Sequence, residues 1–159
     1  MQQPTLTPTV AVEAWVRLLR GHAAAVRTLN AQLTRDHGLT VNDYEALLVL
    51  SHAEDGALRR TDLAGSLQLT PSGVTRLLEG LEREGYVAKR ECTADRRVVY
   101  AALTDEGAAK LRAASCSHVA AIEELFGSSY EPDELETLAA LLGRLPGSGG
   151  GVPCAAGQS

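Results

Sequence analysis

Apolar residues recur at steps of three and four over two long stretches at either end of the chain, and over shorter stretches between them. Val12, Trp15, Val16, Leu19, Ala23, Val26, Leu29 and Leu33 define one face of a first long helix. Gly38 fits its stop. Thr40 is a good N-cap for a second helix that buries Tyr44, Leu47 and Leu48 and runs to about Ala53. Glu54, Asp55 and Gly56 read as a turn. A short helix follows from Arg60 to Leu67, with Leu63, Ala64 and Leu67 inward, and residues 68–70 make the next turn. Thr70 then caps a helix whose first position is Pro71, where the missing N–H costs nothing. That helix continues to about Glu84 and is closed by Gly85. Residues 86–90 and 98–102 read as two short strands joined by residues 91–97. Thr104 caps a further long helix, with Asp105 and Glu106 placed favourably against its dipole and Leu111, Cys116, Val119, Ile122, Leu125 and Phe126 at apolar positions. Residues 127–129 break it. Pro132 opens a last helix carrying Leu135, Leu138, Leu142 and Leu145, which Pro146 stops.

This pattern is mainly α with a small β-wing. Two helices joined by a tight turn and followed by a hairpin form a winged helix-turn-helix, expected over residues 37–103. Residues 1–9 read as a flexible N-terminus and 147–159, rich in Gly and Ser, as a disordered tail. The helices over 10–36 and 104–146 are too long and too apolar to serve only as cover for so small a lobe. They are expected to form a dimerisation region; wrapping their own core is the alternative.

Composition narrows the reading. The 159 residues fit one domain, and 45 % apolar content suffices for a real core. Aromatics are scarce, at 4 %, while Leu and Ala abound, which favours helices over a β-sandwich. No apolar run is long enough to span a membrane, and Glu13, Arg17 and Arg20 interrupt the first helix in a way no signal peptide does. A cytoplasmic protein is the expectation. The net charge of −5 excludes a simple polycation, but residues 59–101 carry +2 and the remainder −7. A basic middle in an acidic frame suits a protein that meets phosphate on one face.

The candidate chemistry sits in that basic middle. Ser72, Gly73, Thr75 and Arg76 occupy the start of the second helix of the helix-turn-helix. Hydroxyls can donate or accept at base edges, Gly73 allows close approach, and Arg76 can pair bidentately with guanine. First-turn N–H groups can also hold a phosphate. Capping alone, with Arg76 a solvated charge, is the plainer reading. Asp95, Arg96 and Arg97 stand at the hairpin tip. Val74, Leu77, Leu78 and Leu81 read as core. Gly80 lies inside the helix at a cost of about 1 kcal/mol relative to Ala. Arg59, Arg60, Arg83 and Arg90 are weaker phosphate candidates.

Cys92, Cys116 and Cys154 are odd in number and form no CxxC or Cys/His cluster, so reduced thiols are expected and a zinc site is not. His22, His37, His52 and His118 show no ligand-spaced pair, and no metal or cofactor is expected. There is no Gly-rich cofactor loop, nucleophile elbow or carboxylate pair to support an enzyme. Trp15, Leu19, His22, Tyr44 and Leu48 could line a pocket between helices, with core packing as the competing role.

The order of elements, together with five short segments, resembles the MarR family of bacterial transcriptional regulators from about Val12 to Leu145. The segments are Leu63-Ala64, residues 69–76, residues 81–87, Asp95-Arg96-Arg97, and residues 103–107. The resemblance implies a homodimer on a pseudo-palindromic DNA operator, released when a small phenolic or antibiotic-like effector binds between the dimer helices and the DNA-binding lobe. It implies that Arg97 enters the minor groove, oriented by Asp95, while Arg96 serves phosphates. Three departures stand out. Relatives often carry a basic residue where Gly80 stands, and relatives that sense peroxides use a first-helix cysteine that this chain lacks. The urate-responsive branch carries arginines where Leu77 and Lys89 stand here. A protein-interaction module and a cysteine-based redox sensor remain the alternatives to a ligand-responsive repressor.

Overall fold

The computed structural model describes residues 9–91 and 98–148. Six helices and a three-stranded sheet are described: α1 (Val10–His37), α2 (Val41–His52), β1 (Ala57–Arg59), α3 (Arg60–Leu67), α4 (Pro71–Arg83), β2 (Val87–Glu91), β3 (Val99–Leu103), α5 (Asp105–Gly127) and α6 (Pro132–Leu142). The winged helix-turn-helix expected from the pattern is present, flanked by long terminal helices. The termini expected to be loose, 1–8 and 149–159, lie outside the described residues, as does the wing tip at 92–97.

Local chemistry sets most boundaries. Thr9 caps α1 through its side chain, and Gly38 ends the helix at φ 67°. Thr40 and Asp43 form a reciprocal capping box at the start of α2. Thr104 accepts the Gly107 N–H at 3.0 Å to start α5, and its own hydroxyl donates to the Gly85 carbonyl at 2.7 Å. One side chain therefore ties the end of the sheet to the loop that closes α4. Gly107 sits at this crossing because a Cβ there would collide with the Tyr86 carbonyl and press on Leu103.

Two expectations needed adjustment. The sheet has a third strand, β1, which pairs antiparallel with β3 (Ala57 opposite Ala102), giving the order β1-β3-β2. Three residues are too few to show a period of two, so the sequence pattern passed over it. The last helix ends at Leu142 rather than near Leu145, because Gly143 is a poor helix residue and takes the C-cap.

The core lies where α2, α3 and α4 meet the sheet and α5. Leu33, Leu47, Leu50, Leu63 and Leu78 are fully buried in it. α1 joins this core only near its C-terminal end, through Gln32 and Leu33. Upstream, Val12, Trp15, Val16 and Leu19 are 49, 60, 36 and 48 % exposed, one uncovered stripe at helical spacing. α6, rich in leucine, has no buried residue. Among the described residues, no helix is long and apolar enough to cross a membrane.

Candidate nucleic-acid interface and effector groove

α4 begins with its capping residue turned into the helix and its neighbours turned out. The Thr70 hydroxyl oxygen accepts the Gly73 N–H at 3.1 Å. Ser72 and Arg76 are exposed one turn apart, while Gly73 and Thr75 are partly covered. Val74, Leu78 and Leu81 are buried on the opposite face. Arg76 makes no ion pair with any described residue, so its guanidinium is available to a partner. Thr75 is less open, since its hydroxyl donates to the Pro71 carbonyl at 2.9 Å. It offers a lone pair and a methyl group. Gly73 has an internal reason for being glycine: a Cβ would stand 3.1 Å from Thr70 Oγ1. At Gly80 a Cβ would meet only the Arg83 guanidinium, at 3.9 Å, so a longer residue would fit there.

Sequence reasoning missed Glu82. One carboxylate oxygen lies 3.1 Å from the Arg60 guanidinium and the other 3.2 Å from Lys89 Nζ. Arg60 opens α3, Glu82 closes α4, and Lys89 lies on β2. A single half-buried carboxylate therefore links both helices of the helix-turn-helix to the wing. No short motif spans positions 60, 82 and 89, so only folding reveals the cluster. Arg59 is also engaged: its Nε donates to the Tyr100 hydroxyl at 3.3 Å. Arg83 and Arg90 are exposed. Asp95, Arg96 and Arg97 lie outside the described residues, as do Cys92 and Cys154. Cys116 is an exposed free thiol on α5.

A groove of about 670 Å³ opens between α1, α2, α3 and α5. His22, Tyr44 and Leu48 line it, as does the buried His118. Trp15 and Leu19 do not; they belong to the exposed stripe further along α1. The two rings at the groove floor touch, with Tyr44 and His118 centroids 4.6 Å apart. The Tyr44 hydroxyl donates to Ser115 at 3.2 Å. Burial lowers the His118 pKa below its usual range, assisted by nearby His37. Burial raises that of Glu45, and nearby His22 partly offsets this. Among the described residues no cluster of His, Cys, Asp or Glu could hold a metal ion.

The MarR family profile matches residues 37–98. YkoM of Bacillus subtilis, an uncharacterized HTH-type transcriptional regulator, is 31 % identical over 134 residues, spanning 82 % of this chain and 85 % of YkoM. The chain belongs to the MarR family. The family repressor-type relative YetL of B. subtilis is 33 % identical over 108 residues, a segment spanning 68 % of this chain and 64 % of YetL, just under two thirds of that protein's length. Among solved structures, the MarR-family regulator AbsC from Streptomyces coelicolor aligns with a TM-score of 0.76 at 30 % identity, covering 87 % of this chain and 93 % of AbsC. Sco3205, a MarR-family regulator from the same organism solved in complex with DNA, aligns with a TM-score of 0.76 at 28 % identity over 84 % of this chain and 88 % of that one. AbsC and Sco3205 are both described as transcriptional regulators.

Proposed function

We propose that the chain acts as a homodimeric, DNA-binding repressor in the cytoplasm, released from a pseudo-palindromic operator by a small aromatic effector. The exposed, unpaired Arg76 beside Ser72 at the start of α4 carries the DNA reading, since this face points a cation and a hydroxyl outward beside a β-wing. The DNA complex of the similar Sco3205 supports it. Arg76 reads a base in the major groove. Arg97, oriented by Asp95, enters the minor groove, and Arg96, Arg83 and Arg90 meet phosphates. The uncovered stripe of α1 and the unburied α6 support the dimer, which would set two recognition helices about 34 Å apart.

The groove can report to the recognition helix through a strained turn. Gln68 lines the groove and ends α3 at φ 52°, a left-handed conformation that costs a non-glycine residue about 1–2 kcal/mol. Thr70, the cap of α4, lies two residues on. An occupant that repositions Gln68 therefore moves the start of the recognition helix. By linkage, an effector that weakens DNA binding tenfold must bind the free protein tenfold tighter than the complex, about 1.4 kcal/mol of coupling.

The test is fluorescence anisotropy with DNA from the promoter of the gene and a panel of single-base variants. Arg76→Ala should lose about 1–3 kcal/mol of discrimination at one position of each half-site. Arg97→Ala should weaken binding in a way that follows minor-groove width. Equal losses on every sequence would refute these readout roles. Absence of any salt-dependent shift would favour a protein-interaction module instead.

A further inference from the structure

We propose that the groove selects an aromatic amine and discriminates against aromatic carboxylates. This rests on the reading of the groove as the effector site. The argument starts with charge. Among the described residues no Lys or Arg lines the groove, and the one carboxylate that does belongs to Glu45. A bound carboxylate would meet a like charge with only His22 and His118 to offset it. A bound ammonium would meet an opposite one.

The hydrogen bonds behind the groove point the same way. Asp36 holds its carboxyl below the usual range, through its bond from Arg35 and then from Gln32, so it can only accept. Gln32 must therefore present its amide nitrogen to Asp36, at 3.0 Å. That turns the Gln32 carbonyl oxygen to His118 Nδ1, at 3.2 Å. Nδ1 must then carry the proton and donate. The other ring nitrogen, Nε2, is left as an acceptor, and no described residue bonds to it. The Tyr44 hydroxyl is already committed to Ser115, whose own proton goes to the Leu111 carbonyl at 2.7 Å. Beside the neutral polar side chains of Asn42, Ser66 and Gln68, the groove thus offers an ammonium the Glu45 carboxylate from α2 and the His118 Nε2 lone pair from α5. Val26, Leu48, Val119 and Ile122 supply apolar walls for a ring.

The experiment compares naphthylmethylamine with naphthoate, which share a ring system and differ in charge, on the full chain at neutral pH. Calorimetry gives the affinities. NMR contacts between naphthyl protons and the methyls of Val119 and Ile122 place the ligand. The expected result is an amine at least tenfold tighter than the carboxylate. Glu45→Gln should cost the amine several-fold and tighten the carboxylate, and the His118 ring should show an unprotonated Nε2 whose nitrogen shift moves when the amine binds. Naphthoate binding in the groove as tightly as the amine would overturn the ligand class and leave the site standing. Contacts from neither probe to Val119 or Ile122 would overturn both. An Nε2-protonated His118 in the free protein, or a Glu45→Gln variant with unchanged amine affinity, would also refute the proposal.

Discussion

Glu82 receives two cations, and their different burial predicts different energies. Its side chain is 18 % exposed, that of Arg60 28 % and that of Lys89 56 %. Exposed ion pairs contribute about 0.2–1 kcal/mol, while losing one partner of a buried pair costs about 3–5 kcal/mol. The Arg60 pair lies between these limits and near a charged hydrogen bond, about 1.5–3 kcal/mol. The Lys89 pair should couple below about 1 kcal/mol, since water screens its ammonium. A further asymmetry follows from Arg60 itself. Its Nε is buried and has no hydrogen-bond partner. Removing the carboxylate therefore strands a guanidinium that is already under-satisfied. Removing the guanidinium leaves Glu82 still paired with Lys89. Glu82→Gln should thus destabilise more than Arg60→Met, by about 1 kcal/mol or more. Urea unfolding of the singles and of both double mutants gives the couplings directly. A Glu82–Lys89 coupling as large as the Glu82–Arg60 coupling would refute the burial argument. So would an Arg60→Met variant less stable than Glu82→Gln.

Gly107→Ala should destabilise by about 1–3 kcal/mol or more in urea unfolding, because the added methyl meets the Tyr86 backbone, whereas Gly65→Ala, with nothing within 4 Å, should stabilise by about 0.5–1 kcal/mol. His118 titrates below its ordinary 6.5 in the folded chain because it is buried. The unfolded chain binds that proton first, so stability should fall as pH drops through 6.5, and His118→Gln should flatten this slope of the urea midpoint. Glu45, raised above 4.5 by burial, should cost stability as pH rises through that value, and Glu45→Gln should remove that loss. Trp15→Glu with Leu19→Glu should convert a dimer to a monomer by light scattering, and a wild-type monomer that still bound DNA tightly would remove the half-site argument.

The elements that local chemistry determines were legible in the sequence. Thr40, Thr70 and Thr104 are caps in the structure as their positions suggest, and Pro71 opens α4. The boundary of α3 matches because apolar residues and the turn at 68–70 agree. What stayed hidden depends on residues far apart in the chain. β1 exists because β3 offers it an edge, and no property of Ala57, Leu58 and Arg59 alone announces it. His118 was read only as a histidine without a metal-ligand partner. Its bond to Gln32 spans 86 positions, and that bond decides which ring nitrogen is left as an acceptor. Trp15 was grouped with His22 because both fall on one helix, yet only His22 reaches the groove. Trp15 emission is consequently a reporter of the α1 stripe before it is a reporter of ligand.

The same separation changes what charge counting can say about DNA. Residues 59–101 hold eight cations, which suggests a broad phosphate footprint. Folding removes several from that account. Arg60 and Lys89 share Glu82, and Arg59 lies against Tyr100 with its guanidinium 5.9 Å from the ring centroid. Arg83 bonds only a backbone carbonyl, that of Glu79, so its charge is not neutralised. Arg76, Arg83 and Arg90 are therefore the exposed cations on the described part of the lobe that neither Glu82 nor Tyr100 engages, and the sequence adds Arg96 and Arg97, which lie outside the described residues. Each phosphate neutralised on a duplex contributes about 0.9 to the slope of log affinity against log salt. If Arg76 reads a base and Arg97 enters the minor groove, Arg83, Arg90 and Arg96 remain for phosphates. A subunit should then show a slope nearer three contacts than eight. Glu82→Gln discriminates between the two views of its carboxylate. As a mere negative charge near DNA, its removal should steepen the slope and tighten binding. As the link between α3, α4 and the wing, its removal should weaken operator binding even while the lobe becomes more positive.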